Sequence, residues 1–318
     1  MAVTLEQAKL NVQDDLQSMI IDEFRKSNYL WDNMEFDDVV SPTGGGATLA
    51  YAYNRVKTQA TAGFRAINEE YSPQEATMEQ KVVNLAVFGG SFKVDRVIAN
   101  MGGIANAVTF QVQQKVKAAS ALWNETVING DTGTNSKAFD GLEKAITGSD
   151  TEYKPKAVID LSDSAAIDKN YKVFLDELDN CLGLMDGTPT ALLVNDALFT
   201  KIRAVIRRAV AYTETKDSFG RIIPAYDGIP IIKLGAKSGS NEQVVPIKQT
   251  ENTTSLYAVR LGLDGLHAVS MAGQSPVNIH LPDYTTAGAV KEGDVEMVSA
   301  VALKASKAAA ILRNIKVK

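Results

Sequence analysis

Residue types that commonly carry out catalysis are sparse in this sequence. Its two histidines are His267 and His280, and Asp264 and Ser270 lie close to the first of them. A Ser-His-Asp triad normally draws its members from separate elements, so residues crowded into one short segment are not expected to converge. No GxSxG, HExxH, CxxC or strand-following GxGxxG motif is present. The histidines are therefore predicted to be structural, and no catalytic residue is assigned.

The single cysteine, Cys181, lies on the apolar face of a predicted helix together with Phe174 and Leu178. A thiol in such a stripe is expected to behave as a small buried hydrophobe and not as a nucleophile. One cysteine excludes a disulfide within the chain and fits a reducing compartment.

A loop from Asn129 to Asp140 has some of the spacing of a calcium-binding loop. Asn129, Asp131 and Gly133 would occupy loop positions one, three and five, but Thr134 stands where the motif needs glycine and Asp140 stands where it needs glutamate. Turn chemistry accounts for the same residues, so neither a metal nor a cofactor is predicted.

A triple glycine, Gly44 to Gly46, could suggest a phosphate-binding loop. No Lys-Ser or Lys-Thr follows it and no helix pattern opens there, so a flexible hinge is predicted instead.

Composition limits the classes of function that remain. The chain has 318 residues, 45% of them hydrophobic, which is enough for two compact domains with a real core. A net charge of −5 gives no general basic footprint for nucleic acid, and no run of 18 apolar residues predicts a membrane span. The charge is uneven, because residues 1–40 hold nine acids and three bases. No secretory signal is recognised near the first residue.

One long helix is predicted to organise the chain. Apolar residues recur at helical spacing from Ile104 to Val127, and Asn129-Gly130 stands where a left-handed C-cap is expected. About 25 residues would span roughly 37 Å, which is the width of a domain. We refer to this helix as the spine helix.

A long hairpin is predicted before the spine helix. Leu49, Tyr51, Tyr53 and Arg55 share one side of an extended run, and a second run occupies Met78 to Phe88 before Gly89-Gly90 ends it. An isolated two-stranded hairpin is marginal in water. It must therefore lie on a neighbouring subunit or fold back on its own domain.

The two ends of the chain and the region after the spine complete the pattern. Residues 4–26 are predicted to form an amphipathic helix that opens with a Thr4 capping box. Residues 165–235 predict an α/β arrangement with a helix capped by Asn195. The tail predicts a turn at Glu292-Gly293-Asp294 and a final antiparallel pair made by residues 295–305 and 308–317.

This ordered set of elements resembles the major capsid proteins of tailed phages, with the fold named after phage Hong Kong 97. The matching motifs are the Asn129-Gly130-Asp131 turn that ends the spine helix and the Gly141-Leu142 re-entry. The strand and helix TALLVNDALFTKIRAVI and the following DGIPII resemble the family's axial domain.

The resemblance implies an α+β capsid fold in four parts: an N-terminal arm (1–46), an extended β-hairpin loop (47–90), a peripheral domain with the spine helix (91–160 and 276–318) and an inserted α/β axial domain (161–275). It implies a non-enzymatic subunit that self-assembles as hexamers and pentamers into an icosahedral shell around double-stranded DNA. The alternatives are an encapsulin-like cargo shell and, from another class, a cytosolic α/β enzyme.

The same resemblance implies the partners. They are other copies of the chain, a separate scaffolding protein, a portal and non-specifically contacted DNA, with no membrane. The location is the virion, after assembly in the host cytoplasm. The 46 residues before the loop leave no room for a fused scaffold, so the arm is expected to be retained. Some relatives crosslink a loop lysine to a peripheral asparagine; Lys57 or Lys81 with Asn278 are the candidates here, and no crosslink is expected.

Overall fold

A computed structural model describes residues 29–41, 48–101, 107–209, 213–216, 222–273 and 275–318. The helices are α1 (Tyr29–Asn33), α2 (Arg96–Ala99), α3 (Ala107–Asn129), α4 (Leu142–Ile146), α5 (Ser164–Leu182) and α6 (Asp196–Ala209). The strands are β1 (Phe36–Val40), β2 (Ala50–Thr58), β3 (Thr77–Asn84), β4 (Ala86–Asp95), β5 (Glu152–Tyr153), β6 (Ile159–Asp160), β7 (Ala191–Val194), β8 (Thr213–Lys216), β9 (Ile222–Tyr226), β10 (Ile229–Lys233), β11 (Thr253–Val259), β12 (Leu266–Met271), β13 (Val277–His280), β14 (Val290–Leu303) and β15 (Ala309–Lys316). The predicted α+β class is confirmed.

Two sheets and one hairpin make up the β-structure of the described residues. The first sheet has the order β1-β12-β14-β13, and β4 also pairs with β14, along residues 290–299. The second has the order β5-β15-β11-β7-β10-β9-β8, with β6 also on β15. Strands β2 and β3 pair only with each other, so the hairpin is separate from both sheets.

The second sheet is buried on both faces. Leu193, Tyr257 and Ile311 face the core that contains the spine helix α3, and Leu192, Leu256 and Leu312 face the core formed with α5 and α6. Burial on both faces explains the uninterrupted apolar sequence of β7. The predicted cap of α6 is confirmed, since the Asn195 side chain accepts a hydrogen bond from the Leu198 amide at 2.8 Å.

The predicted final antiparallel pair is wrong. Strand β14 pairs with β4, β12 and β13, whereas β15 pairs with β5, β6 and β11 in the other sheet. The chain therefore crosses between the sheets at residues 304–308. Two apolar runs that follow each other closely predict a hairpin locally, but the core of the second sheet provides the better partner for β15.

Two predicted glycine turns are also wrong, for one physical reason. Gly89 lies inside β4, where a Cβ would meet the Val295 carbonyl oxygen at 2.0 Å, and Gly293 lies inside β14, where a Cβ would meet the Phe92 ring at 2.7 Å. These glycines allow close approach between elements and do not end a strand.

The spine helix ends at Asn129 as predicted, but its predicted left-handed cap is wrong. Gly130 does not have a positive φ angle. Its carbonyl accepts from the Gly141 amide at 2.8 Å, and a Cβ on Gly130 would lie 2.3 Å from the Phe139 carbonyl oxygen. The turn after the spine and the re-entry at Gly141 are therefore two halves of one backbone contact. The predicted start at Ile104 lies outside the described residues.

Residues 29–40 pack into the body of the protein. Leu30 is fully buried, and Trp31 contacts Trp123 of the spine helix edge to face with ring centroids 5.0 Å apart. Strand β1 runs parallel to β12. The predicted terminal helix (4–26) and the triple glycine lie outside the described residues.

Candidate assembly interface

The hairpin β2–β3 joins neither of the two larger sheets of the described chain. Tyr51 pairs with Val83 and Arg55 with Glu79 in an antiparallel register. Nine residues of β2 extend about 30 Å, and residues 59–76 join the strands without regular structure. We call residues 59–76 the hairpin tip.

The inner face of the hairpin is fastened to the end of β14 by hydrogen bonds. The Tyr53 hydroxyl donates to the Leu303 carbonyl at 2.8 Å. The Arg55 guanidinium donates to the Leu303 carbonyl at 2.6 Å and to the Lys304 carbonyl at 2.9 Å. The base of the hairpin therefore does fold back on its own domain, which was one of the two alternatives from the sequence.

A buried polar cluster lies beneath this attachment. The Tyr51 hydroxyl donates to Asp37 Oδ2 at 2.9 Å, and the Lys304 ammonium lies 3.7 Å from the same oxygen. His267 is fully buried, with its Nε2 atom 3.9 Å from Asp37 Oδ2. Burial, followed by the nearby Lys304 charge, holds the pKa of His267 below its usual range. A neutral imidazole therefore packs against the Tyr51 ring.

The outer face of the hairpin carries apolar side chains that nothing in the described chain covers. Val56 pairs with Met78 and Ala52 with Val82, and all four side chains are exposed. Ten large hydrophobic side chains are more than half exposed among the described residues, and six of these lie between positions 56 and 82. Single exposed apolar residues are normal on a protein surface, whereas a cluster of them on one element marks an interaction surface.

The hairpin tip continues this apolar surface and adds negative charge. Phe64 and Ile67 are 109% and 90% exposed, and Tyr71 is also exposed. The tip contains three glutamates and one arginine. The Glu70 and Glu75 carboxylates have no ion-pair partner among the described residues, so both remain available to another chain.

The residues whose types could support catalysis do not come together in a site. Asp264 pairs with Arg260 at 2.6 Å on the surface, and Ser270 lies three residues beyond His267 on β12, so the two side chains point to opposite faces. Cys181 is buried, and burial raises the pKa of its thiol to about 12, so it packs as a hydrophobe. No group of three or more acidic, histidine or cysteine side chains in the described ranges could hold a metal ion.

A lysine organises the loop that resembles a calcium site. The Lys144 ammonium lies 2.7 Å from Asp131 Oδ1, 2.9 Å from Asp140 Oδ1 and 2.9 Å from the Thr132 hydroxyl. This ammonium therefore takes the central position of the loop. Asn129, at the first position of the calcium-like spacing, donates to the Val244 carbonyl at 2.7 Å.

Replacing Lys144 with methionine should change the acid response of this loop. Hydrogen bonding from Lys144, then from the Gly133 amide and Thr134, lowers the pKa of Asp131 from 3.8 to about 2. Because the folded-state pKa is depressed, this stabilisation is complete above about pH 4 and is lost as the pH falls towards 2. We expect the Asp131 pKa of Lys144→Met, followed by carboxyl NMR, to move back towards 3.8. Lys137→Met, in the same loop, should leave it unchanged.

The candidate crosslinking residues lie on different elements. Lys57 and Lys81 lie on the hairpin, where Lys81 is 3.3 Å from Glu79, and Asn278 lies on β13 opposite Glu296. The expectation that no crosslink forms between subunits remains a prediction.

Comparison with solved structures places the whole chain in one fold group. It superposes on an encapsulin of Synechococcus elongatus with a TM-score of 0.67 and 14% identity, covering 100% of this chain and 98% of that one. The capsid of a native GTA particle gives 0.63 and 13%, covering 99% of both chains. The structure named Mycobacterium phage Bobi gives 0.58 and 12%, covering 98% of both. No family model matches the sequence, and no curated protein matches it significantly.

Proposed function

We propose that this chain, which has the Hong Kong 97-type capsid fold, is a major capsid protein that self-assembles into an icosahedral shell around double-stranded DNA. The observation that carries the proposal is the hairpin. Its base is fastened to the body, whereas its outer face and tip expose apolar side chains that no described residue covers. Phage capsids recur among the structures with the same fold.

The proposed division of the chain is an arm (1–46), an extended loop (47–90), a peripheral domain (91–160 and 276–318) and an axial domain (161–275). Strand pairing supports two adjustments to it. Strand β12 belongs with the peripheral strands β4 and β14, and β15 belongs with the axial strands β7 and β11. We therefore propose that the two domains share strands and that the axial domain is more than a simple insertion.

A structural role without catalysis is proposed. The buried histidine and cysteine of the described chain serve packing, and Asp264 is committed to Arg260. No helix in the described ranges is both long enough and apolar enough to span a bilayer.

The partners proposed are other copies arranged as hexamers and pentamers, a separate scaffolding protein, a portal and non-specifically bound DNA. The chain would be a virion component that assembles in the host cytoplasm. Heterologous contacts that pass from copy to copy form rings when the rotation between copies closes, which suits a loop that reaches out from one body to the next.

The helix predicted at residues 4–26 is proposed to exchange between subunits or to become ordered only on assembly. Its apolar stripe includes Leu16 and Ile20. Introducing two charges into a stripe that assembly buries is strongly unfavourable, so Leu16→Asp with Ile20→Asp should abolish shells and leave the rest of the subunit folded. Hydrogen exchange on 4–26 measures this directly, and equal protection in free and assembled subunits would refute it.

An encapsulin-like cargo shell is the second candidate, and the match at a TM-score of 0.67 favours keeping it. The contents of purified native particles distinguish a capsid from a cargo shell. Nuclease-protected double-stranded DNA is expected for a capsid, whereas particles that contain a bound protein and no DNA would support the cargo shell.

A further inference from the structure

We propose that the hairpin tip of one copy binds in the groove along the free edge of β3 in the next copy. The inference rests on the proposed shell function and identifies the surface that the loop contacts. We call this groove the β3 groove.

Two adjoining cavities form the β3 groove. One has a volume of about 560 Å³ and lies between β3 and the loop before α4, and the other, of about 330 Å³, lies between β3 and α4. Both are lined by Val82, Val83 and Val301, so they adjoin each other. Phe139 lines the first cavity and Leu142 the second. These apolar side chains lie among polar ones and provide the contacts for hydrophobic groups of a partner.

The rim of the β3 groove is mostly positive. Lys137 lines one cavity, and Arg55, Lys81 and Lys144 line the other, against the single carboxylate of Asp140. Lys144 is already held by Asp131 and Asp140. Among the described residues, the Lys137 ammonium has no ion-pair partner, and the ion-pair partner of Lys81 is Glu79. These two lysines are the cations that can receive an acidic partner.

The hairpin tip has the complementary composition. Phe64, Ile67 and Tyr71 provide exposed apolar side chains, and the tip has a net charge of −2 from three glutamates and one arginine. Apolar anchors surrounded by charges of opposite sign are the usual basis of a specific interface.

The hairpin tip does not occupy the groove of its own chain. The Phe64 and Ile67 side chains are 109% and 90% exposed, and the two cavities are lined by residues outside the tip. We therefore assign the tip that binds in the groove to a second copy. Each copy then offers one groove and one tip, and such a head-to-tail arrangement forms a ring when the rotation between copies closes it.

Charge reversal tests the assignment. Glu70→Lys with Glu75→Lys and, separately, Lys81→Glu with Lys137→Glu should each reduce particle yield by about tenfold or more, because like charges then face each other. Combining all four substitutions should restore most of the yield. Lys169→Glu with Lys172→Glu, an equal charge change on exposed α5 positions, is the matched control and should assemble. Normal yield from the tip variant, or no recovery in the combined variant, would overturn the assignment.

A disulfide gives an independent readout. Ile67→Cys combined with Ser136→Cys should form covalent multimers on oxidation of assembled particles, and neither single variant should, since Cys181 is buried. Particles that form normally without multimers would refute the β3 groove while leaving the shell function intact. Absence of particles from the unmodified chain, expressed with the other head proteins of its source, would overturn the shell function and this contact together.

Discussion

Shortening the hairpin should leave a folded protein that cannot form shells. Val56 pairs with Met78, so replacing residues 57–77 with Asn-Gly gives a two-residue turn in a register that the existing strands accept. The contacts that fasten the base, from Tyr51, Tyr53 and Arg55, are all retained. Assembly should fail because the exposed apolar tip is gone.

The measurement compares far-UV circular dichroism, the thermal midpoint and particle yield with those of the unmodified chain. A length-preserving Gly-Ser replacement of residues 59–76 is the matched control for the side chains of the tip, and it should also fail to assemble. Normal particles from the shortened chain would show that the hairpin is not an assembly element.

Replacing Trp123 with alanine should be the most destabilising single substitution in the spine helix. Trp123 is fully buried, packs edge to face on Trp31 and lies 6.0 Å from the Phe36 ring. Truncating a buried tryptophan leaves a large cavity, and the expected loss in the free energy of unfolding is about 4 kcal/mol. The joint between residues 29–40 and the spine helix would loosen first, since Trp31 and Phe36 lose their common partner.

Denaturant unfolding of the unassembled subunit, followed by circular dichroism, checks this prediction. Leu122→Ala is the matched control, because Leu122 precedes Trp123 in the same helix and is 37% exposed. It should cost less than about 1 kcal/mol. Equal midpoints for the two variants would contradict the placement of Trp123 at the centre of this core.

Local patterns predicted the parts of the fold whose partners are near in sequence. Periodic spacing predicted the apolar stripe of α3 and the alternation of Tyr51, Tyr53 and Arg55. The cap at Asn195 was predicted from a residue type next to the start of a helix pattern. The hairpin was predicted from such a pattern and is confirmed, as is the end of the spine helix at Asn129.

Features that depend on distant partners could not be predicted in this way. A glycine that allows two elements to approach, such as Gly89 or Gly293, has the same sequence signature as a glycine that makes a turn. Strand β15 pairs in the second sheet and not with β14, because the core of that sheet is assembled from residues far apart in the sequence. The polar cluster of Asp37, His267 and Lys304 draws on three distant segments, and only the alternation around Tyr51 pointed towards it.

The most direct test of the shell function is electron microscopy of the purified chain, expressed alone and together with the scaffolding protein from its source. We expect capsomers, tubes or irregular shells from the chain alone, and uniform closed shells when the scaffolding protein is present. Subunit masses from the closed shells should show a retained N-terminal arm. A protein that stays monomeric under both conditions, at concentrations where its fold is intact, would rule out the proposed shell function.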